Sequence, residues 1–275
     1  MDKQTIQDVT FKGKKVVVRV DFNVPLDKSL NITDDRRIKE ALPTIQYLLK
    51  QGASKVILMS HLGRPDGQVV ENLRLTPIAK QLEKLLGEKV LKLDECVGAA
   101  VKQKIDQSKE KVVLLENLRF HKEEEKNNPE FAKQLAALAD IYVNDAFGTA
   151  HRAHASTEGI AKFLPAVAGF LIERELKYLG EAVNSPKRPM VVILGGAKVS
   201  DKIMLIENLL KKADSILIGG GMAFTFLKAM GKNIGNSKLD PEKVDVARSL
   251  LEKAKKANVH IELTSDFCIV KNFDA

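Results

Sequence analysis

Short runs of apolar, β-branched residues recur along the chain, and stretches with helical periodicity separate them. The runs are continuously apolar rather than alternating, which predicts strands buried on both faces of a sheet. The order strand–helix–strand predicts parallel sheets with right-handed crossovers. The predicted strands are Val16–Val20, Lys55–Met59, Val90–Leu93, Val112–Leu115, Ile141–Val143, Met190–Leu194, Ser215–Ile218 and His260–Leu263. The predicted fold is therefore α/β, with doubly wound, Rossmann-like parallel sheets.

The intervening stretches have the spacing of amphipathic helices. Ile78, Leu82, Leu85 and Leu86 follow the i, i+4, i+7, i+8 pattern of a single apolar face. Pro43 lies inside the first helical pattern, so we expect that helix to begin near Pro43 or to kink there.

A chain of 275 residues is long enough for two domains. A polar-faced helical pattern over residues 173–183 precedes the turn-rich segment NSPKRP, which is typical of a linker. We therefore predict a first domain over residues 1–172, an interdomain hinge helix and linker over 173–188, and an incomplete second domain over 189–275. A hinge between two domains is a common enzyme architecture.

Composition excludes several classes of protein. No apolar run approaches the roughly 20 residues of a membrane-spanning helix, and the first residues lack the apolar stretch of a secretory signal. Cys96 and Cys268 lie far apart without a CxxC pattern, so neither a disulfide framework nor a zinc site is expected, and the expected location is the cytoplasm.

The formal net charge of +8 suits nucleic acid, a membrane surface or small polyanions. Three Tyr and no Trp provide few stacking platforms for single strands. A polyanion-binding role would require binding to duplex DNA with a steep salt dependence. We expect no nucleic-acid partner and no membrane partner.

Polar side chains cluster where the predicted strands of the first domain end. In parallel sheets, ligands bind beyond these carboxyl ends. The residues concerned are Arg19, Asp21, Asn23, Ser60, His61, Arg64, Glu116, Asn117, Arg119, Asn144, Asp145, His151, Arg152 and His154, with Arg37 in a loop-to-helix stretch nearby. Any single arginine is explained as well by a surface salt bridge, and His61 alone by a structural role. Their convergence predicts an anion site, because arginine binds phosphate and carboxylate in bidentate fashion.

The second domain contains a strand, the glycine-rich turn LGGAK and then a helix. Gly195 and Gly196 would let backbone N–H groups approach a phosphate at the helix N-terminus, where Lys198 and Lys202 add positive charge. The run GGG at residues 219–221 ends the next strand. Neither turn matches GxxxxGK[ST] or GxGxxG, and a simple tight turn explains each as well when taken alone.

Seven motifs together resemble phosphoglycerate kinase, in matching order and spacing over essentially the whole chain. They are RVDFNVP, SHLGRP, LLENLRF, VNDAFGTAHRAHAS, AGFLIERELKYLG, LGGAKVSDKI and IGGGMAFTFLKA. The resemblance implies a glycolytic phosphotransferase with a carboxyl group as acceptor. It would transfer a phosphoryl group reversibly between 1,3-bisphosphoglycerate and MgADP, giving 3-phosphoglycerate and MgATP. The implied partners are these small molecules with Mg²⁺ bound to the nucleotide, and the implied state is a monomer.

The resemblance also assigns roles to residues. The implied phosphoglycerate site comprises Asp21, Phe22, Asn23, Arg37, His61, Leu62, Gly63, Arg64, Arg119 and Arg152. The implied nucleotide site comprises Gly196, Ala197, Lys198, Lys202, Gly220 and Gly221. Arg37, Lys198 and Lys202 are the implied catalytic residues, and Arg37 would stabilise the transferring phosphoryl group.

Relatives of this family continue beyond the last residue of this chain, with a metal-binding aspartate, a ribose-contacting glutamate and further glycine-rich loops. We therefore expect three strands in the second domain, with an unpaired edge and an uncovered apolar face. Two functions remain open at this point. The chain is either a kinase that works with the remaining segment, or a fragment that binds phosphoglycerate without catalysis.

Overall fold

The computed structural model describes residues 3–270 and confirms the α/β class. It contains two compact units, Met1–Leu179 and Gly180–Ala275. Each unit has its own parallel sheet and its own hydrophobic core. The boundary between the units falls inside a helix, Phe170–Asn184.

The strands and helices alternate along most of the chain. The strands are β1 (Lys15–Val20), β2 (Lys55–Met59), β3 (Val90–Lys92), β4 (Val112–Leu114), β5 (Ile141–Asp145), β6 (Ala166–Ala168), β7 (Val191–Gly195), β8 (Ser215–Gly219) and β9 (His260–Leu263). The α-helices are α1 (Arg36–Lys50), α2 (Thr76–Leu86), α3 (Ala99–Gln107), α4 (Lys122–Glu125), α5 (Pro129–Ala136), α6 (Phe147–Ala150), α7 (Phe170–Asn184), α8 (Ile203–Leu209), α9 (Met222–Ala229) and α10 (Val244–Lys256).

The first unit is built on a six-stranded parallel sheet in the order β3-β4-β2-β1-β5-β6. Alternate residues of β1 point to opposite faces. Val16 and Val18 join a core that includes Ile38 and Leu82, whereas Val17 joins a second core on the other side of the sheet. Helices thus cover both faces, which confirms the double winding that the continuously apolar strands predicted.

The short strand β6 was not predicted. It pairs in parallel with β5, and the backbone N–H of Tyr142 donates to the carbonyl of Pro165 at 2.9 Å where the pairing begins. Three residues, Ala-Val-Ala, are too few to show a period of two or a β-branched run, so the sequence pattern carries no signal for this strand.

Helix α1 begins at Arg36 and continues past Pro43 to Lys50, so the first of the two alternatives, a start near Pro43, was wrong, and a kink at Pro43 stays a prediction. Proline inside a helix removes one backbone hydrogen bond. A buried apolar stripe that includes Ile38, Ala41 and Leu48 packs this helix against the sheet, and tertiary packing of this kind outweighs the local cost.

The second unit has a three-stranded parallel sheet in the order β7-β8-β9. Residues Ile216 and Ile218 of β8 lie in a core with residues of α8, α9 and α10, which pack on one face. On the other face, Val191 and Ile193 of β7 are 53% and 77% exposed. Within residues 180–270, the sheet therefore has the uncovered apolar face that we expected.

No helix within residues 3–270 has the length and apolar character needed to cross a membrane.

Candidate functional site

A cavity of about 250 Å³ lies beyond the carboxyl ends of the strands of the first unit. It is lined by Asp21, Asn23, Arg37, His61, Gly63, Arg64, Arg119, Gly148, Thr149 and Arg152. These residues follow β1, β2, β4 and β5 or occupy the first turn of α1, so the parallel topology brings distant segments to one rim.

Asp21 and Arg37 form an ion pair in which Nη1 of the arginine donates to Oδ2 of the carboxylate. The Asp21 side chain is mostly buried, whereas the Arg37 side chain is half exposed at the cavity. A Cβ atom on Gly148 would lie 2.8 Å from Asp21 Oδ2, so a side chain at position 148 would displace the Asp21 carboxylate. The pair holds the guanidinium of Arg37 at the cavity, at the start of α1.

Backbone and side-chain hydrogen bonds fix the loop after β2. The N–H of Gly63 donates to Asn23 Oδ1 at 2.9 Å, and the carbonyl of Gly63 accepts from Arg119 Nη1 at 2.9 Å. Gly63 has a φ of +66°, and a Cβ there would lie 2.8 Å from Leu73 Cδ2. Glycine is therefore required for this loop to reach the cavity.

The buried Asn117 connects the loop after β2 with the turn that carries Arg119. Its Oδ1 accepts from the N–H of Leu62 at 3.2 Å and of Arg119 at 3.1 Å, and its Nδ2 donates to the carbonyl of Leu62 at 2.8 Å. Arg119 also forms an ion pair with Glu125, Nε to Oε1, at 3.1 Å. These contacts orient the Arg119 guanidinium before any ligand arrives.

His61 is held by an arginine beneath the cavity. Arg19 Nη2 lies 3.1 Å from His61 Nδ1. A guanidinium can only donate, so Nδ1 accepts and the proton of the neutral ring sits on Nε2. Burial lowers the pKa of His61 to about 2, with further lowering by Arg19, Arg119 and Arg37. At neutral pH, His61 is therefore a neutral hydrogen-bond donor.

Arg19 is almost completely buried within β1. Its Nε donates to Ser156 Oγ at 2.9 Å, and Ser156 in turn donates from its backbone N–H to Glu124 Oε2 at 2.9 Å and from its hydroxyl to Oε1. Burial lowers the pKa of Arg19 and raises that of Glu124, while the opposite charges attract. This network holds Arg19 in place, and Arg19 in turn contacts His61.

The cavity carries a surplus of positive charge. Four arginines line it, with Asp21 as the one carboxylate among its lining residues. Arg37 and Arg119 have the carboxylate partners named above, but Arg64 and Arg152 have no ion pair with any residue between 3 and 270. Such a rim suits a small ligand that bears more than one negative charge.

Eight of the ten predicted phosphoglycerate residues line this cavity. The side chains of Phe22 and Leu62 instead lie in the hydrophobic core, where they support the loops. Arg19 is part of β1 and does not follow it. Gly148 and Thr149 also line the cavity, although neither was predicted to; they stand four and three residues before Arg152 in the motif VNDAFGTAHRAHAS.

The other polar residues at the strand ends have structural roles. Glu116 is buried and pairs with Arg74 and Lys92. Ser60 accepts from the backbone of Phe22 at 2.9 Å. Side chains that end a strand thus divide into those that face the cavity and those that hold its loops.

A second cavity of about 420 Å³ shares Asp21 and Arg37 with the first and is also lined by Asp145. Asp145 accepts from the backbone of Leu171 at 2.8 Å, and Thr44 accepts from the backbone of Phe170 at 3.1 Å, so both cap the N-terminus of α7. Asp145 Oδ2 is buried with no hydrogen-bond partner among residues 3–270. Burial raises the pKa of Asp145 to about 6.

Two glycine-rich turns adjoin each other in the second unit, at the carboxyl ends of β7 and β8. The N–H of Met222 donates to the carbonyl of Gly196 at 2.8 Å. A Cβ on Gly220, whose φ is +66°, would lie 3.2 Å from backbone atoms of Gly196, and one on Gly221 would lie 3.1 Å from the carbonyl of Ala197. Backbone without side chains lines this place, which fits a ligand that lies against the main chain.

The two predicted lysines stand beside these turns in sequence. Lys198 is exposed in the loop after β7, and Lys202 is half-buried at the end of a 3₁₀ turn, Ser200–Lys202, directly before α8. The second unit therefore offers backbone amides and ammonium groups to an anionic ligand.

Comparison with known proteins identifies the relatives of this chain. The family model described as phosphoglycerate kinase matches residues 6–275. A phosphoglycerate kinase from Dictyoglomus turgidum is 58% identical over 275 residues, which cover 98% of this chain and 69% of the relative. One from Gloeothece citriformis is 57% identical over 280 residues, covering 100% of this chain and 70% of the relative.

Two solved structures share the fold. The structure of phosphoglycerate kinase from Coxiella burnetii matches with a TM-score of 0.83 and 42% identity, covering 95% of this chain and 66% of that one. The crystal structure of phosphoglycerate kinase from Pyrococcus horikoshii OT3 matches with a TM-score of 0.76 and 35% identity, covering 96% and 68%. The relatives are thus longer than this chain by about a third of their own length.

Proposed function

Because the chain belongs to the phosphoglycerate kinase family, we propose that it takes part in reversible phosphoryl transfer between 1,3-bisphosphoglycerate and MgADP, giving 3-phosphoglycerate and MgATP. The observation that carries this proposal is the arginine-rich cavity of the first unit. A ligand with a phosphate at one end and a carboxylate or acyl phosphate at the other suits four guanidiniums on one rim.

The residues around the cavity divide the work of binding by their chemistry. Arg64, Arg119 and Arg152 would bind the phosphate and carboxylate of the acid, and His61 would donate from Nε2. Asp21 supplies a hydrogen-bond acceptor for the hydroxyl group of the glycerate. Asn23 uses Oδ1 to hold Gly63, which leaves its amide nitrogen available.

The reaction needs no general base. A phosphate oxygen of ADP attacks in the direction that forms ATP, and a carboxylate attacks in reverse; both are ionised at neutral pH. The protein must therefore position the reactants and neutralise charge on the transferring group. Arg37 is the proposed source of that charge in the first unit, because its guanidinium reaches the cavity while Asp21 fixes its position.

The nucleotide enters as a substrate that carries its own Mg²⁺. Gly196, Ala197, Gly220 and Gly221 would lie against it with their backbone, and Lys198 and Lys202 would contact its phosphates. Lysine suits this role as a point charge on a flexible stem. We assign catalytic roles to Arg37, Lys198 and Lys202 on these grounds.

A second candidate function is phosphoglycerate binding without turnover. It is favoured by one observation, namely that all residues lining the cavity belong to the first unit. The domain division proposed from the sequence, with phosphoglycerate binding in residues 1–172, has the same implication. A cytoplasmic location and a monomeric state are further proposals, which rest on the family and on the two distant cysteines.

The two functions are separated by assaying MgATP-dependent phosphorylation of 3-phosphoglycerate with the purified chain, and by measuring 3-phosphoglycerate binding calorimetrically. Turnover that Arg37→Ala abolishes would establish the kinase. Binding without turnover, followed by turnover when the C-terminal remainder of a relative is added, would establish a binding unit of a kinase. Absence of binding would refute both.

A further inference from the structure

Three side chains of different metal-ligand chemistry meet outside the cavity. Glu95 and Cys96 lie in the loop after β3, and His121 follows the 3₁₀ turn Leu118–Phe120 that carries Arg119. A carboxylate oxygen, the thiol sulfur and a ring nitrogen of these residues all lie within 4.8 Å of one another. None of the three has a role in the proposed phosphoryl transfer.

The local contacts already orient these groups towards a common point. His121 Nε2 lies 2.6 Å from Glu95 Oε1, which also accepts from the backbone of Cys96 at 2.7 Å. In a tetrahedral zinc site with bonds of about 2.0 and 2.3 Å, neighbouring ligand atoms are roughly 3.5 Å apart. Ligand atoms that lie up to 4.8 Å apart would have to approach one another by roughly 1.3 Å, whereas His121 Nε2 and Glu95 Oε1, now 2.6 Å apart, would have to separate by about 1 Å.

We propose that Glu95, Cys96 and His121 form a binding site for a zinc ion. Thiolate, imidazole and carboxylate are the three side-chain ligands that zinc takes in proteins, and the softness of the thiolate selects against Mg²⁺ and Ca²⁺. Because Glu95 is exposed and His121 is half-buried, the ion reaches the site from solvent and retains a fourth position for water.

Zinc binding would change the state of the thiol. The ion would take the place of the thiol proton, which would pass to solvent. The Cys96 thiol now donates to the carbonyl of Glu116 at 3.0 Å, and this hydrogen bond is exchanged for the Zn–S bond.

Zinc at this position would connect two loops that lie near the cavity. The backbone N–H of His121 donates to the carbonyl of Leu118 at 3.1 Å, within the turn that carries Arg119. The ion would therefore fix this turn to the loop after β3. A rise in thermal stability on adding zinc is the expected physical result, because the ion binds the folded chain and not the dispersed ligands.

The chain contains a natural control pair. His260 Nε2 lies 2.8 Å from Glu262 Oε2 on β9, without a cysteine beside it in residues 3–270. If a histidine–carboxylate pair alone were sufficient to bind the metal, the pair of His260 and Glu262 would bind it as well as the cluster does. The cysteine outside the cluster, Cys268, is exposed and controls for binding by a free thiol.

The test is a titration of the reduced, full chain with Co²⁺, followed by displacement with Zn²⁺. The expected result is one equivalent of bound Co²⁺, with a near-ultraviolet thiolate-to-cobalt charge-transfer band and the intense visible bands of tetrahedral coordination. Zn²⁺ should remove both. Cys96→Ser should abolish the charge-transfer band, and His121→Gln and Glu95→Gln should each weaken binding at least about 10-fold. Cys268→Ser and His260→Gln should change neither the band nor the stoichiometry.

Absence of the charge-transfer band in the wild-type chain would overturn the proposal. Its loss in Cys268→Ser would do the same, because the thiol involved would then be the wrong one. Cys96 is fully buried, so its variant is accepted only with a native circular dichroism spectrum. His121→Gln and Glu95→Gln change more exposed residues and decide the matter if that variant fails to fold, with unchanged Co²⁺ affinity in both contradicting the site.

Discussion

Arg19 donates from Nη2 to Nδ1 of His61 across 3.1 Å, and this contact determines which nitrogen of the imidazole carries the proton. A buried arginine cannot accept, so the proton of His61 lies on Nε2. The ring is neutral because burial and three nearby arginines depress its pKa. In the proposed anion site, His61 would therefore act as a neutral hydrogen-bond donor, while the arginines would provide the charge.

The first prediction follows from this arrangement. His61→Ala should weaken 3-phosphoglycerate binding roughly 10- to 100-fold, since one hydrogen bond to a charged group is removed. His61→Gln retains an N–H donor at the position of Nε2 and should recover part of the loss. Calorimetric titration of both variants measures the difference. Equal loss in the two variants would show that donation from Nε2 is not what His61 contributes.

The second prediction concerns Arg37. In a full-length relative, Arg37→Ala should lower turnover by about 10²-fold or more, because a preorganised charge beside the transferring group is lost. Arg36→Ala is the matched control, since Arg36 is the preceding residue, carries the same charge and pairs with Asp34 at 2.5 Å. Steady-state assays of both variants suffice. Similar turnover in the two would contradict the role of Arg37.

The third prediction concerns pH. The pKa of Asp145 is raised from 3.8 to about 6 in the folded chain. The neutral carboxyl therefore contributes its whole share to the free energy of unfolding below pH 3.8, and this contribution is lost as the pH rises through 6. A pKa difference of this size corresponds to about 3 kcal/mol. Asp145→Asn does not titrate, so its free energy of unfolding relative to wild type should rise by about that amount between roughly pH 4 and pH 7.

Urea denaturation of wild type and Asp145→Asn across this pH range measures the effect. A constant difference between the two proteins would show that Asp145 is ionised equally easily in the folded and unfolded chains. Loss of stability in the variant at every pH would instead mean that capping of α7 requires the carboxylate itself.

The fourth prediction concerns the network below the cavity. Glu124→Ala should reduce the free energy of unfolding by about 3–5 kcal/mol, because it removes the carboxylate that compensates the buried Arg19 through Ser156. Glu123→Ala, at the exposed neighbouring position, should change stability by no more than about 0.5 kcal/mol. Chemical denaturation of both variants tests this difference, which vanishes if Arg19 needs no counter-charge.

The fifth prediction concerns Gly220. Alanine at a φ of +66° costs about 1–3 kcal/mol, and the new Cβ would also press on backbone atoms of Gly196 at 3.2 Å. Gly231 has a φ of +81°, and apart from its chain neighbours no atom of residues 3–270 lies within 4 Å of the place that a Cβ would occupy there, so Gly231→Ala reports the backbone cost alone. Gly220→Ala should therefore be the more destabilising of the two in thermal unfolding, and the reverse order would contradict the close packing of the two turns.

Much of the fold was predictable because its signals are local. Each continuously apolar run became a strand within one or two residues of its predicted ends. Strand β6 was not predicted because three residues are too few to show a periodic pattern. Helix α1 continues through Pro43 because long-range packing outweighs one missing hydrogen bond. In both cases, the deciding contacts join residues far apart in sequence, where a local pattern has no information.

The same contrast between local signals and long-range contacts applies to the cavity. Three of its arginines were found by their positions after strands, and Arg37 by its place in a loop-to-helix stretch. The burial of Arg19 depends on the pleat of β1 and on Ser156 and Glu124 beneath it. The meeting of Cys96 with His121 was likewise hidden, since the sequence showed only two isolated cysteines. The residue types predicted the chemistry of the cavity, but which side chains pair with each other depends on the three-dimensional structure.

The open face of the three-stranded sheet has a practical consequence for anyone who handles this chain. The apolar side chains of Val191 and Ile193 on β7 are exposed to solvent. Within residues 180–270, β7 and β9 are both unpaired edge strands of the sheet. Fluorescent hydrophobic dyes should therefore bind to the smaller unit, and concentrated solutions should scatter light before the larger unit loses any structure. Cloudiness would then arise in the smaller unit, so a cloudy sample would be no sign of damage to the arginine-lined cavity of the larger unit.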